Sequence, residues 1–412
     1  MKKYLIIIVI SFSITFANSD TSSVAVSTLP FVFYSNSIGW VFGTFTSVKG
    51  YPQENSFTKI GCLISTNRSK YFYFQADEVQ NPFWNRQFIR PDIFMGKLGD
   101  VKEYIGAPNS KGIWPGSNES SEKQHFLLHG TDYWIELNFK NLLPFAKGEN
   151  INDFKVGEAV LSNSDLSDIK IFDFGKIYFE TKFIYRDMTL ENSFIKPKIV
   201  AAAVDYSLSN DNTNNYYFPT YGSYQKISYI RQYKAFGCDV EAVVWKFDMR
   251  YFYPIKDGIN KYPSIFSLNF MTMDTPSWND YELDDGKRIY KRPKLFIGPT
   301  LGGIKYLRAY KDYRYHDRAM IYYSLELRKN IEWNPFSQYE FTKKLGIDIL
   351  QIASFIDVGR VAPYWRIKTL HDDMKYSLGL GIRAYMKGLV LRMDYAKGQE
   401  GGMVQMYVEN PF

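Results

Sequence analysis

Asp132-Tyr133-Trp134-Ile135-Glu136-Leu137-Asn138-Phe139-Lys140 alternates from end to end. Tyr133, Ile135, Leu137 and Phe139 fall on one parity, and Trp134, Glu136, Asn138 and Lys140 on the other. A β-strand points successive side chains to opposite faces, so this stretch reads as a strand with one apolar and one polar face. The pattern recurs on both sides of it. Lys176–Arg186 sets Ile177, Phe179, Thr181, Phe183 and Tyr185 against Glu180, Lys182 and Arg186. Lys198–Leu208 sets Val200, Ala202, Val204, Tyr206 and Leu208 against Asp205. Glu241–Tyr253 sets Val243, Trp245, Phe247, Met249 and Tyr251 against Lys246, Asp248 and Arg250.

A soluble β-sandwich alternates too, with its charged face in water and its apolar face on a second sheet. Three features favour a membrane. The segments run to roughly ten residues or more, the length of a tilted span of a bilayer core. Aromatic residues make up 18% of the 412-residue chain, as two interfacial girdles require. The chain ends on a strand-like segment, Gly401–Phe412, whose last residue is Phe412. Mean hydropathy is −0.29, which excludes a bundle of apolar helices but suits a barrel, where only alternate residues meet lipid. The expected fold is all-β: a transmembrane antiparallel barrel of about sixteen strands, an even number as single-chain barrels require.

Residues 1–17 read as a secretory signal: Lys2 and Lys3, then an apolar run from Leu5 to Phe16, then Thr15-Phe16-Ala17 as cleavage site. Loss of its two lysines takes the net charge from +7 to +5, which does not point to nucleic acid. Residues 18–29 read as a short periplasmic leader and 30–412 as the barrel. Strand signals start at Phe31-Val32-Phe33-Tyr34 and Ile38–Lys49. Lys97–His129, with Gly106, Pro108, Gly112, Pro115 and Gly116, reads as a long external loop. Asn210–Thr220 and Thr275–Pro293 read as further connections, and Pro144–Phe172 leaves one strand unplaced. Cys62 and Cys238 form no disulfide framework and no CxxC metal spacing; whether they pair is open.

Several motifs then match one family in order. Leu29-Pro30 through Tyr34-Ser35 to Gly39 and Gly43, and Asp211–Asn215 followed by Phe218-Pro219-Thr220-Tyr221-Gly222, resemble the barrel of the BamA/TamA outer-membrane assembly superfamily, also called bacterial surface antigens. Gly302-Gly303, then Leu307-Arg308-Ala309-Tyr310, is similar to that family's lumen loop. The family's usual glycine after the arginine is Ala309 here, a residue without glycine's access to positive φ. Glu326-Leu327-Arg328, Phe355-Ile356-Asp357-Val358-Gly359, Gly379-Leu380-Gly381-Ile382-Arg383 and Arg392-Met393-Asp394-Tyr395-Ala396 follow. The resemblance implies a loop folded back into the lumen, and a member without periplasmic POTRA domains.

Strand parity bears on that loop independently. If Leu350, Ile352, Ile356 and Val358 face lipid, Asp357 faces inward. Leu378, Leu380 and Ile382 likewise turn Arg383 inward; Leu389, Leu391, Met393 and Tyr395 turn Arg392 and Asp394 inward. Tyr322, Ser324, Glu326 and Arg328 share one face. Glu326, Asp357, Arg383, Arg392 and Asp394 are therefore the expected lumen wall, and Arg308 is expected to meet it, because a guanidinium engages a carboxylate through two parallel hydrogen bonds. The contact reads as a structural latch in preference to a moving gate.

Other constellations are weak. His125 and His129 lie in a loop-like region without an HExxH pattern, so no metal is expected. Ser120, Ser121 and His125 lack a GxSxG elbow, and no phosphate-binding or dinucleotide motif is present. No cofactor and no enzyme activity are expected. The terminal Phe412 is similar to the signal read by barrel-assembly machinery, though Asn410 and Pro411 depart from it, and Pro411 lacks a ladder donor, so a loose seam with the strand Ile38–Lys49 is expected. Three functions stay open: help in protein insertion or translocation, which the resemblance implies; a channel for small solutes; and a surface antigen acting through its loops. The expected partners are outer-membrane lipid and, from the resemblance, client outer-membrane proteins or a separate periplasmic partner. The protein is expected to be a monomer in the bacterial outer membrane.

Overall fold

A computed structural model describes residues 24–35, 38–149, 173–215, 218–238, 240–256, 262–282, 288–331, 347–386 and 389–408. The signal segment, the first half of the leader (18–23), residues 150–172 and Phe412 lie outside the described residues. Among the described residues seventeen strands form one sheet, and sixteen of them make an up-and-down meander; the other, Val79–Asn81, continues the fourth strand after a break. In chain order they are β1 Ala25–Ser35, β2 Gly39–Lys49, β3 Phe57–Ser65, β4 Lys70–Asp77, β5 Trp84–Glu103, β6 Phe126–Ala146, β7 Lys176–Glu191 and β8 Lys198–Asp211. There follow β9 Gly222–Gln232, β10 Ala242–Ile255, β11 Ser264–Asp274, β12 Ala319–Ile331, β13 Ile347–Ala362, β14 Lys375–Met386, β15 Leu389–Gly398 and β16 Gly401–Val408. Each pairs antiparallel with the next, as in Ala25↔Lys49 to Ser35↔Gly39 and Leu391↔Val408 to Gly398↔Gly401.

The two-sided pattern becomes a lipid face and a lumen face. On β13, Gln351, Ala353, Phe355 and Asp357 are buried while Ile352, Ser354 and Ile356 are exposed. Outward residues such as Trp245 (47% exposed) and Leu380 (62%) present the apolar surface that a bilayer covers. Several inward-facing charges are paired: Arg186 with Asp132, Lys182 with Glu136, Lys226 with Glu180 and Arg250 with Asp248. An even strand count places both ends of the meander on one rim, the periplasmic one for a secreted chain, and the connection 275–318 on the opposite, outer rim.

Several boundaries differ from the sequence reading. β1 starts at Ala25, inside the stretch read as leader, because the small polar residues before Leu29 carry no alternation yet pair fully with β2. The seam partner of the last strand is therefore β1, not Ile38–Lys49. The two end strands lie side by side, but no ladder joins them among the described residues. Pro30, which lacks a donor N–H, sits in β1, a position suited to an edge strand. The loop read at Lys97–His129 is only 104–125, since β5 runs to Glu103 past an irregularity between Leu98 and Val101. β6 runs to Ala146, into the stretch where a strand was left unplaced. The connection 275–318 carries its own hairpin, Asn279–Glu282 with Arg288–Lys291, and the pair Thr300–Leu301 with Tyr315–His316. Both cysteines are free, Cys62 exposed and Cys238 buried.

Candidate functional site in the barrel lumen

The loop turns into the lumen at two glycines. Gly302 and Gly303 take φ of 109° and 98°, which L side chains rarely adopt, and a Cβ on either would run into Lys311 or Asp312. Leu307 also takes a left-handed φ of 48°, whereas Ala309 has no positive φ. Alanine in place of the family's glycine thus costs no backbone strain, because the reversal falls two residues earlier. Leu307, Tyr310, Leu301 and Ile297 pack with inward-facing Ile230, Val244, Met271, Met273, Met320 and Phe355 in one apolar core. The outer part of the lumen is filled by side chains.

Arg308 is 1% exposed. Its Nε and Nη2 donate to the two carboxylate oxygens of Asp357 at 3.0 and 2.9 Å. Its Nη1 donates to Glu326 at 2.9 Å and to Asp394 at 3.2 Å. Its backbone N–H donates to Asp357 at 3.1 Å, so Asp357 grips both main chain and side chain. The guanidinium also lies over the Phe355 ring, 3.3 Å from its centroid. Burial pulls the Arg308 pKa down, but Asp357, Glu326 and Asp394 outweigh it and hold the pKa well above the usual arginine range.

Arg383 joins this cluster through Glu326 at 2.6 Å and Asp394 at 3.1 Å. Arg392 stands at its edge, 3.7 Å from Asp394, and donates to the Ile304 carbonyl at 2.8 Å. Every predicted wall residue is therefore gathered around the loop. Ala309 donates its N–H to Ser377 Oγ at 2.9 Å, and the Tyr310 ring packs edge-on against Tyr315 at 5.3 Å.

Tyr322, Ser324 and Arg328, which parity sets on the face of Glu326, join the cluster too, whereas Gln405 and Phe355 are not among the expected wall residues. Arg328 donates to Glu326 at 2.6 Å, and Tyr322 and Ser324 donate to Asp357 at 3.1 and 2.8 Å. Gln405 donates to the Arg308 carbonyl at 3.1 Å. Phe355 shares the parity of Asp357, which was the available signal for its inward position. Its ring fits because Gly379 stands opposite it with no side chain to collide. Four guanidiniums, of Arg308, Arg328, Arg383 and Arg392, face three carboxylates here.

Above this cluster the loop is pinned to its neighbours. Arg314, fully buried, pairs with Glu400 and donates to the Ser120 Oγ at 2.8 Å and carbonyl at 2.7 Å. His316 donates its backbone N–H to Gly116 at 2.8 Å, and its Nε2 lies 2.8 Å from the Tyr104 carbonyl oxygen. Arg360 bonds Glu119 at 2.9 Å, and Arg186 reaches Tyr313 at 3.1 Å. Ser120 thus serves as a partner of Arg314. His125 lies beside the Glu122 carbonyl at 2.7 Å, and His129 beside Asp100 at 3.7 Å. Among the described residues no group of three metal-ligating side chains occurs.

The fold has solved counterparts. The crystal structure of BamA from Haemophilus ducreyi lacking POTRA domains 1-3 is similar at 13% identity and TM-score 0.50, over 98% of this chain and 75% of that one. CdiB from Escherichia coli is similar at 9% identity and TM-score 0.58, over 96% of this chain and 67% of that one. CdiB from Acinetobacter baumannii is similar at 12% identity and TM-score 0.53, over 94% of this chain and 60% of that one. At these identities the likeness is one of fold. No curated protein matches the chain in sequence. The Omp85 superfamily domain matches residues 196–402, half of the chain, which includes the lumen loop and every residue of its wall. The chain belongs to the Omp85 superfamily and is a bacterial outer-membrane β-barrel.

Proposed function

We propose that this barrel acts without enzymatic chemistry, in inserting proteins into the outer membrane or moving them across it, through its side and not along its axis. The observation that carries this reading is the contrast between lumen and wall. The lumen is filled by a charge-clamped loop and an apolar core, whereas the end strands β1 and β16 lie side by side with no ladder between them among the described residues. Opening a seam in lipid exposes backbone groups at several kcal/mol each, so a seam with few bonds to break is the affordable route. The barrel works as a monomer, and its clients, or a separate periplasmic partner that delivers them, meet it at the periplasmic rim. The BamA and CdiB likenesses are compatible with either insertion or secretion.

Depletion of the protein with quantitative profiling of the outer-membrane proteome tests this, alongside planar-bilayer conductance of the purified barrel. Loss of particular outer-membrane or secreted proteins, with a silent bilayer, is expected. Steady conductance with an unchanged proteome would instead establish a channel.

A further inference from the structure

Lys70 opens β4 at the outer rim, and its register partner on β5 is Lys97. Both are exposed on the lipid-facing side. Like charges set directly opposite one another on neighbouring strands repel. Their neighbours in the same row are Ile64 and Thr131, which carry no charge. The nearby Asp100 pairs with His129, and Lys198, further along, with Asp187. Among the described residues neither Lys70 nor Lys97 has an acidic partner. Arg231 and Lys397 on the same outward face also have no acidic partner among the described residues, but each stands opposite uncharged register partners, whereas Lys70 and Lys97 face each other.

From this row inward, over about 7 Å along the strands, the surface is hollow. Phe42, Ile64, Phe72 and Met95 wall an open trough of about 540 Å³, with Thr44 and Cys62 lining it between them and Lys70 at its outer end. An anion above an apolar trough, at the height of the outer leaflet, is the shape of one phosphate-bearing lipid. We propose that Lys70 and Lys97 bind the phosphate of an outer-leaflet lipid whose acyl chain lies in the trough beneath them. The site is separate from the seam and from the lumen cluster, and rests only on the outer-membrane placement of the barrel.

Native mass spectrometry of the full chain in detergent, titrated with dioleoyl phosphatidic acid or dioleoyl phosphatidylcholine, tests this. The wild type is expected to retain the anionic lipid preferentially. Each lysine near an anionic headgroup contributes roughly a fivefold preference, so K70Q/K97Q should lose most of it while K70R/K97R keeps it. Cys62→Trp, which fills the trough, should weaken retention with both lysines intact. Heat-modifiable migration checks that each variant is folded. Equal retention by wild type and K70Q/K97Q would overturn the proposal and leave two lysines that merely reach for water. Complete displacement by millimolar inorganic phosphate would also overturn it, since a headgroup alone would then account for binding.

Discussion

Arg308 lies over the ring of Phe355, its guanidinium carbon 3.3 Å from the ring centroid. The aromatic face and the Asp357 carboxylate hold the same cation from two sides. A desolvated cation–π contact contributes about 2 kcal/mol or more. Phe355→Leu should therefore lower the thermal transition and expose the loop around Tyr306–Tyr313 to protease. Gly379→Ala, whose Cβ would strike the Phe355 ring, should act in the same direction. The cost of Phe355→Leu should shrink in an Arg308→Ala background; an equal cost in both would mean that the ring serves packing alone.

Arg308 and Asp357 form the centre of the clamp, and removal of either leaves the other buried and underpaired. Breaking such a pair costs about 3–5 kcal/mol; Glu326 and Asp394 soften the loss of Asp357, and the hydroxyls of Tyr322 and Ser324 soften the loss of Arg308. Arg308→Ala and Asp357→Ala should each reduce folded yield, with the double variant less than additive. Arg308→Lys should rescue poorly, because an ammonium cannot present the planar fork. A double-mutant cycle on heat-modifiable migration is the measurement, and strict additivity would contradict the contact.

His316 ties the lumen loop to the loop 104–125, and burial, with Arg292 and Arg314 nearby, pushes its pKa from 6.5 down to about 4 despite the Tyr104 carbonyl. A depressed folded pKa contributes stability that is complete above 6.5 and is lost as the pH falls through about 4. Asp317 acts in the opposite sense: burial raises its pKa to about 6, so its contribution is lost as the pH rises through that value. Limited proteolysis of residues 302–318 should accelerate on acidification across the histidine window. His316→Gln, which can still donate to Tyr104, should remove most of that acceleration, and an unchanged acid response in the variant would place the sensor elsewhere.

The seam is open to a direct test in a Cys62→Ser background. A cysteine at Phe31, paired in turn with cysteines at Val404 to Val408, should form an intramolecular disulfide at one or more positions. Locking that pair should abolish insertion or secretion of the clients identified by depletion. Full activity in the locked protein would remove lateral opening from the mechanism.

The wall of the barrel was legible because each strand residue has two environments to choose from, lipid or lumen. Parity alone therefore turned Glu326, Asp357, Arg383 and Asp394 toward the loop. Phe355 shares the inward parity of Asp357, but its place over Arg308 depends on the room left by its register partner Gly379, which parity does not show. The pairing of Arg314 with Glu400 and Ser120 had no signal, since loops have no parity and these residues are 86 and 194 positions apart. β1 was shortened and the 104–125 loop lengthened for a related reason. Ala25–Thr28 and Lys97–Glu103 carry small, polar or glycine residues, and their strand state comes from the neighbour they pair with.

Arg308 precedes all the carboxylates it binds: Glu326 by 18 residues, Asp357 by 49 and Asp394 by 86. The chain therefore delivers the cation before β12, β13 and β15 supply its counter-charges. Contacts this distant close late in folding. A barrel arrested before β15 would hold Arg308 through Asp357 and Glu326 but lack Asp394, leaving the guanidiniums of Arg308, Arg328 and Arg383 against two carboxylates. The cluster thus reaches its full set of counter-charges only when β15 is in place.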